Sequence, residues 1–153
     1  MQATRRARAT TRAAATLLAI VAACTISAGC GRSEARPREM HYISKSYSFT
    51  VTPEQAPPHA REWVVYKVFI RDRDTREPIQ GGEGQIYANN RDGARTWDGF
   101  AYGPEVGTYY GRLNYVTSGL WAVGLRFRRD SLHPLEAIEW KQDVMDERPS
   151  AVP

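Results

Sequence analysis

From residue 40 to residue 130 large apolar and polar side chains alternate in short runs, separated by clusters of Gly, Pro, Asn and Asp. That period of two is the signature of strands with one wet and one buried face. Tyr47, Phe49 and Val51 alternate with Ser46, Ser48 and Thr50, and Pro53, Pro57 and Pro58 follow. Residues 62–71 carry apolar side chains on both faces, as a central strand covered on two sides requires. Residues 72–79 are polar, end in Pro78-Ile79 and lead into Gly81-Gly82, which predicts a surface connection before a strand over 83–88. Asp92-Gly93 then predicts a hairpin returning over residues 96–102, because Gly accepts the positive φ of such turns. After a turn over 103–107, residues 108–115 and 120–128 flank Thr117-Ser118-Gly119 and read as a second hairpin. In the latter run Trp121, Val123, Leu125 and Phe127 share one face, and Ala122, Gly124, Arg126 and Arg128 the other.

The tail fits two periods. As a helix, residues 131–147 have Ser131 as cap and Leu135, Ile138, Gln142 and Met145 along one side; as a strand, Ile138, Trp140, Gln142 and Val144 line up. The Glu and Lys content and the lack of a dividing turn favour a short helix. Residues 148–153 read as a disordered tail. About six or seven short strands without βαβ alternation predict an all-β fold, an antiparallel immunoglobulin-like β-sandwich over residues 45–147.

The start of the chain has a different character. Residues 1–12 carry Arg5, Arg6, Arg8 and Arg12 and no acid, and an apolar or small-residue run continues to Gly29. A charged start, an apolar middle and a small-residue end predict an export signal over residues 1–29. Ser27-Ala28-Gly29-Cys30 resembles the lipobox of bacterial lipoproteins, which implies cleavage before Cys30 and a lipid on that residue; Ser27 stands where the family usually has Leu. Cys24, preceded by Val21-Ala22-Ala23, is the other candidate. An uncleaved anchor helix is the remaining alternative, close to the minimum of roughly 17 residues for a span. Each of these tethers the domain outside the cytoplasm, in the cell envelope and facing the periplasm or exterior, with residues 30–44 as a solvated linker.

Charge and cysteine content narrow the function. The 21 Lys and Arg exceed the 17 Asp and Glu by four, and the four arginines of the leader supply that excess. Residues 31–153 therefore balance, without the cationic surplus that nucleic acid binding demands. Cys24 and Cys30 are the only cysteines, so the predicted domain has none for a disulfide, a thiolate metal site or a nucleophile.

The candidate chemistry is sparse. His41, His59 and His133 stand in no nucleophile motif, and lone histidines in polar segments are usually surface residues. Met40-His41 offers two copper-type ligands, with His59, His133 and Met145 as conceivable partners, but no Met-x-x-Met or His-x-His cluster supports such a site. Asp72 and Asp74 alternate with Arg71, Arg73 and Arg76, which reads as salt-linked surface rather than a calcium loop. Gly81-Gly82-Glu83-Gly84 lacks the Lys and helix of a phosphate loop. Glu136 and Glu139 share a side only if the tail is helical, and glycosidase chemistry needs its carboxylates across a cleft. Residues 97–102 and Tyr109-Tyr110 put aromatics on both faces of their strands, so part of that set is a candidate binding patch.

Asp72-x-x-Thr75-x-x-Pro78-Ile79, Gly107-Thr108-Tyr109-Tyr110 and Gly119-Leu120-Trp121-Ala122-Val123 together resemble the YtkA-like and FixH-like exported immunoglobulin-type domains, over roughly residues 45–130. FixH relatives are linked to assembly of copper-containing respiratory oxidases and usually sit on a membrane helix, so a lipid-modified Cys is a departure. The resemblance implies a sandwich and, as an alternative function, copper handling. The expected protein is a non-catalytic envelope module that binds the membrane through its lipid anchor, an unidentified envelope protein as partner, no nucleic acid and no cofactor.

Overall fold

The computed structural model describes residues 38–149, which form nine strands. These are β1 (Met40–Ile43), β2 (Tyr47–Pro53), β3 (Trp63–Asp72), β4 (Glu83–Asn90), β5 (Arg95–Gly99), β6 (Ala101–Tyr102), β7 (Thr108–Asn114), β8 (Gly119–Arg128) and β9 (Glu136–Val144). They make two sheets of order β1-β2-β3-β7-β6 and β5-β4-β8-β9, with every pairing between them antiparallel. The fold is an immunoglobulin-like β-sandwich; the alternation read in β2 and β8 supplies much of its core, and β3, expected to be covered on both faces, buries one face and leaves Trp63 exposed on the other. Tyr47, Phe49 and Val51 of β2, Val64, Tyr66, Val68 and Ile70 of β3 and Trp121, Val123, Leu125 and Phe127 of β8 are all buried between the sheets. Each such side chain stabilises the fold by about 1.5–3 kcal/mol relative to exposure.

Several further expectations change. The tail is a strand, not a helix: β9 pairs with β8 from Gly119↔Val144 to Phe127↔Glu136. A helix would have turned Leu135 and Met145 inward and left Trp140 outside, whereas the strand buries Ile138, Trp140 and Val144 and satisfies the backbone of β8. The expected hairpin of residues 108–115 and 120–128 does not form, because β7 pairs with β3 and β6 while β8 pairs with β4 and β9. Tyr115, buried edge-on against Trp121 at 5.2 Å, and the Trp121 Nε1 bond to the Thr117 carbonyl turn that link into a crossing from one sheet to the other. Finally, Met40–Ile43 adds a strand within the stretch assigned to the linker, and its Tyr42 ring stacks on Trp140 at 5.3 Å.

The returning strand over 96–102 is split at Phe100. β5 lies on β4 in one sheet, and β6 pairs with β7 in the other. Where β6 ends, side chains from β5 take over: Asp98 Oδ2 accepts the Arg112 amide at 2.9 Å and Thr96 Oγ1 the Asn114 amide at 3.4 Å. An open edge on β7 is thereby blunted.

Candidate functional site

The outer face of the β5-β4-β8-β9 sheet is built by the register of its strands. Residues directly opposite one another share a face, so Tyr87↔Trp97, Tyr87↔Gly124 and Gly124↔Glu139 set Trp97, Tyr87, Gly124 and Glu139 in one row across all four strands. The rows on either side hold Gly99, Gln85, Arg126 and Ala137, and Arg95, Asn89, Ala122 and Lys141. Gly and Ala give this face a low floor. Trp97 stands on it 71% exposed, although it is one of the largest apolar side chains of the chain.

Tyr87 is held down rather than free. A Cβ on Gly124 would come within 2.6 Å of the Tyr87 hydroxyl and 2.8 Å of the Ile138 carbonyl, so glycine there lets the ring lie along the sheet. The hydroxyl donates to Glu139 Oε1 at 2.7 Å, and the Arg126 guanidinium lies 4.9 Å from the ring centroid. Burial and then the Glu139 carboxylate push the Tyr87 phenol above its ordinary range, with Arg126 working against them. Beside this row a shallow hollow of about 340 Å³ is lined by Glu83, Gly84, Gln85, Arg126, Arg128 and Leu135. Arg128 is paired to Glu83 at 2.6 Å.

Of the aromatic run, Trp97 and Tyr102 are exposed while Phe100 packs against the core. Tyr109 is buried, and its hydroxyl donates to the Ile79 carbonyl at 2.8 Å. Arg126 was readable only as a position on one face of its strand, and Tyr87 only as a member of the strand over 83–88; their stacking depends on the pairing of β4 with β8.

The histidines are scattered. His41 is exposed on β1 and its Nδ1 lies 3.2 Å from Thr50 Oγ1, on the face opposite Met40, so neighbouring positions 40 and 41 do not converge on a metal. His133 pairs with Asp130 at 2.8 Å in the connection that follows β8. His59 is different, because a parallel bridge makes it the direct partner of Met145. Its Nδ1–H donates to the Asp146 carbonyl at 2.7 Å, which leaves Nε2 as the free lone pair of the neutral ring. Among the described residues no three His, Cys, Asp or Glu side chains come together as a metal site.

The remaining candidates have structural partners. Asp72 Oδ1 accepts the Thr75 and Asp74 amides, and Asp72 Oδ2 meets Arg129 at 2.7 Å. Those backbone bonds, aided by Arg129, hold its carboxyl below the usual range. Glu136 and Glu139 point to opposite faces of β9, as their spacing in a strand demands. Cys24 and Cys30 lie outside the described residues.

No family model and no curated protein matches this sequence. Solved structures that share its fold include two bacterial proteins. A DUF4426 family protein from Pseudomonas aeruginosa is 9% identical with a TM-score of 0.55, over 72% of this chain and 97% of that one. A copper-bound variant of FetP from uropathogenic Escherichia coli is 13% identical with a TM-score of 0.51, over 77% of this chain and 98% of that one. The chain thus shares its β-sandwich fold with small bacterial proteins, one of them copper-associated.

Proposed function

We propose that this protein is an exported, lipid-anchored module of the bacterial cell envelope that works by binding another envelope component and carries out no chemistry of its own. The leader and Cys30 support the anchorage. The observation that carries the binding is Trp97, left exposed beside the locked Tyr87 on a flat face. Tryptophan is among the residue types that contribute most to binding at recognition surfaces. Intact mass spectrometry of the membrane-extracted protein tests the anchor. The expected product begins at Cys30 and carries a diacylglyceryl group; a soluble product retaining Met1 overturns the reading. Photo-crosslinking in cells from position 97 is expected to capture an envelope component.

A second reading, copper handling of the FixH kind, is favoured by one observation: His59 and Met145 are bridge partners, and paired positions project their side chains to the same face. Imidazole and thioether suit copper, and the Asp146 carbonyl orients the ring as outer partners of metal-bound histidines do. Titration of the purified protein with Cu(I) and Cu(II) decides it. Stoichiometric binding lost in His59→Ala and kept in His41→Ala supports this reading, and absence of stoichiometric binding ends it.

A further inference from the structure

We propose that the outer face of the β5-β4-β8-β9 sheet binds an acidic polysaccharide, with a pyranose ring stacked on Trp97 and its anionic substituent on Arg126. The inference rests on the reading of the protein as a binding module and names the class of its ligand. Four features of the face lead to it.

The first is flatness. Gly99 and Ala137 on one side of the aromatic row and Ala122 on the other lower the floor beside it, and among the described residues no strand crosses the face. The second is the aromatic. The face of an indole carries partial negative charge, and the axial C–H groups of a pyranose carry partial positive charge, so a sugar lays its apolar side on such a ring. Trp97 offers that face to solvent, while the Tyr87 ring is already occupied by Arg126.

The third is the surroundings of Trp97. Beyond its direct partner Tyr87, Gln85, Asn89, Arg95 and Gly99 flank it along β4 and β5, all polar or without a side chain. A protein partner would favour an apolar surround, because charged residues are depleted at the centre of such interfaces. The equatorial hydroxyls of a sugar need amide and guanidinium partners at the ring edge. The fourth is charge. On this face Glu83 is held by Arg128 and Glu139 accepts the Tyr87 hydroxyl, while among the described residues Arg95, Arg126 and Lys141 stand in no ion pair. Glu139 keeps its charge, since a phenol hydroxyl does not neutralise a carboxylate, and Asp143 lies toward the far end of the face, opposite Leu120. Three cations outside ion pairs against these two carboxylates leave the face with a net positive charge, which favours an anionic ligand, and the hollow beside Arg126 gives its substituent a place. Stacking over Tyr87 orients the Arg126 guanidinium before any ligand arrives.

The test uses the full chain in mild detergent, in affinity electrophoresis through gels containing alginate or polygalacturonate, with dextran as the neutral control. Retardation by an acidic polymer is expected. It should weaken at least about tenfold in Trp97→Ala and in Arg126→Gln and stay unchanged in Trp63→Ala, which removes an exposed tryptophan from the other sheet. Circular dichroism matching the parent excludes misfolding as the cause. Equal retardation by dextran, no retardation by either acidic polymer, or retardation indifferent to Trp97 and Arg126 overturns the proposal. So does binding to phosphatidylglycerol vesicles that is lost with Trp97, which makes the face a membrane surface. A protein captured from position 97, with neither acidic polymer bound, overturns the glycan and leaves the module standing; an unlipidated soluble product removes the anchor without touching the glycan.

Discussion

At the scale of single residues, the centre of the sandwich holds a polar contact that its neighbours make expensive to break. Tyr66 and Tyr115 are fully buried and share a hydroxyl-to-hydroxyl bond of 2.5 Å, with Trp140 and Trp121 packed edge-on beside them. Tyr66→Phe or Tyr115→Phe alone strands the other hydroxyl in an apolar core, which costs about 1–3 kcal/mol. The double substitution is expected to cost less than the sum of the two, since neither hydroxyl is then left without a partner; urea unfolding of all four proteins measures this coupling. Burial also pushes the Tyr66 phenol up to about 12, against the ordinary 10, although its bond with Tyr115 pulls it down. Burial, followed by the influence of Tyr66, moves the Tyr115 phenol in the same direction. Because the folded state holds these protons more tightly, their contribution to stability is intact below pH 10 and is lost as pH rises towards 12. Denaturant midpoints should fall across that window in the parent, and fall less in the double Phe variant.

At the scale of elements, β1 and β9 bear on each other through one carboxylate. Glu136, at the start of β9, accepts the Ser44 hydroxyl and the Ser46 amide on Oε2, clamping the turn between β1 and β2. Burial works to raise its pKa, and the bonds from Ser44 and Ser46 outweigh burial and hold it below the ordinary value. The sign follows: the clamp is complete above the unfolded carboxyl range near 4.3 and is lost as pH falls through the lower folded value. Glu136→Gln should therefore lose about 1–3 kcal/mol at neutral pH and show a flatter acid limb in a pH series of unfolding midpoints. These contacts also mark where sequence reading runs out. Alternation in β2 and β8 was legible because each buries one face, while β3 read as covered on both sides because Trp63, Val65 and Phe69 give its outer face apolar side chains too; β9 was not legible, since Glu and Lys on its wet side imitate a helix. Its role is fixed by the edge of β8, which needs a partner strand that no local pattern announces.

At the scale of the whole molecule, the all-β class and most strand positions were visible in the chain, while the assignment of strands to sheets was not. Residues 108–115 and 120–128 look like a hairpin because a short polar link joins them, yet the same link is long enough to step between layers about 10 Å apart. The candidate face was half visible for the same reason: Trp97 stood out by type, and Tyr87 and Arg126 join it only through pairings distant in sequence. Charge, by contrast, is distributed in a way the sequence displays directly. The proposed cleavage before Cys30 would remove Arg5, Arg6, Arg8 and Arg12 and take the formal net charge from +4 to zero. Isoelectric focusing of cell extracts should therefore show a basic precursor, near the sequence pI of 9.3, and a mature band close to neutrality. A single basic band is the outcome that contradicts processing. The stack of Tyr42 on Trp140 adds a last constraint, on timing. The ring of the first strand meets its partner only once residue 140 has been synthesised, so the two ends of the domain close against each other as a late event of its assembly.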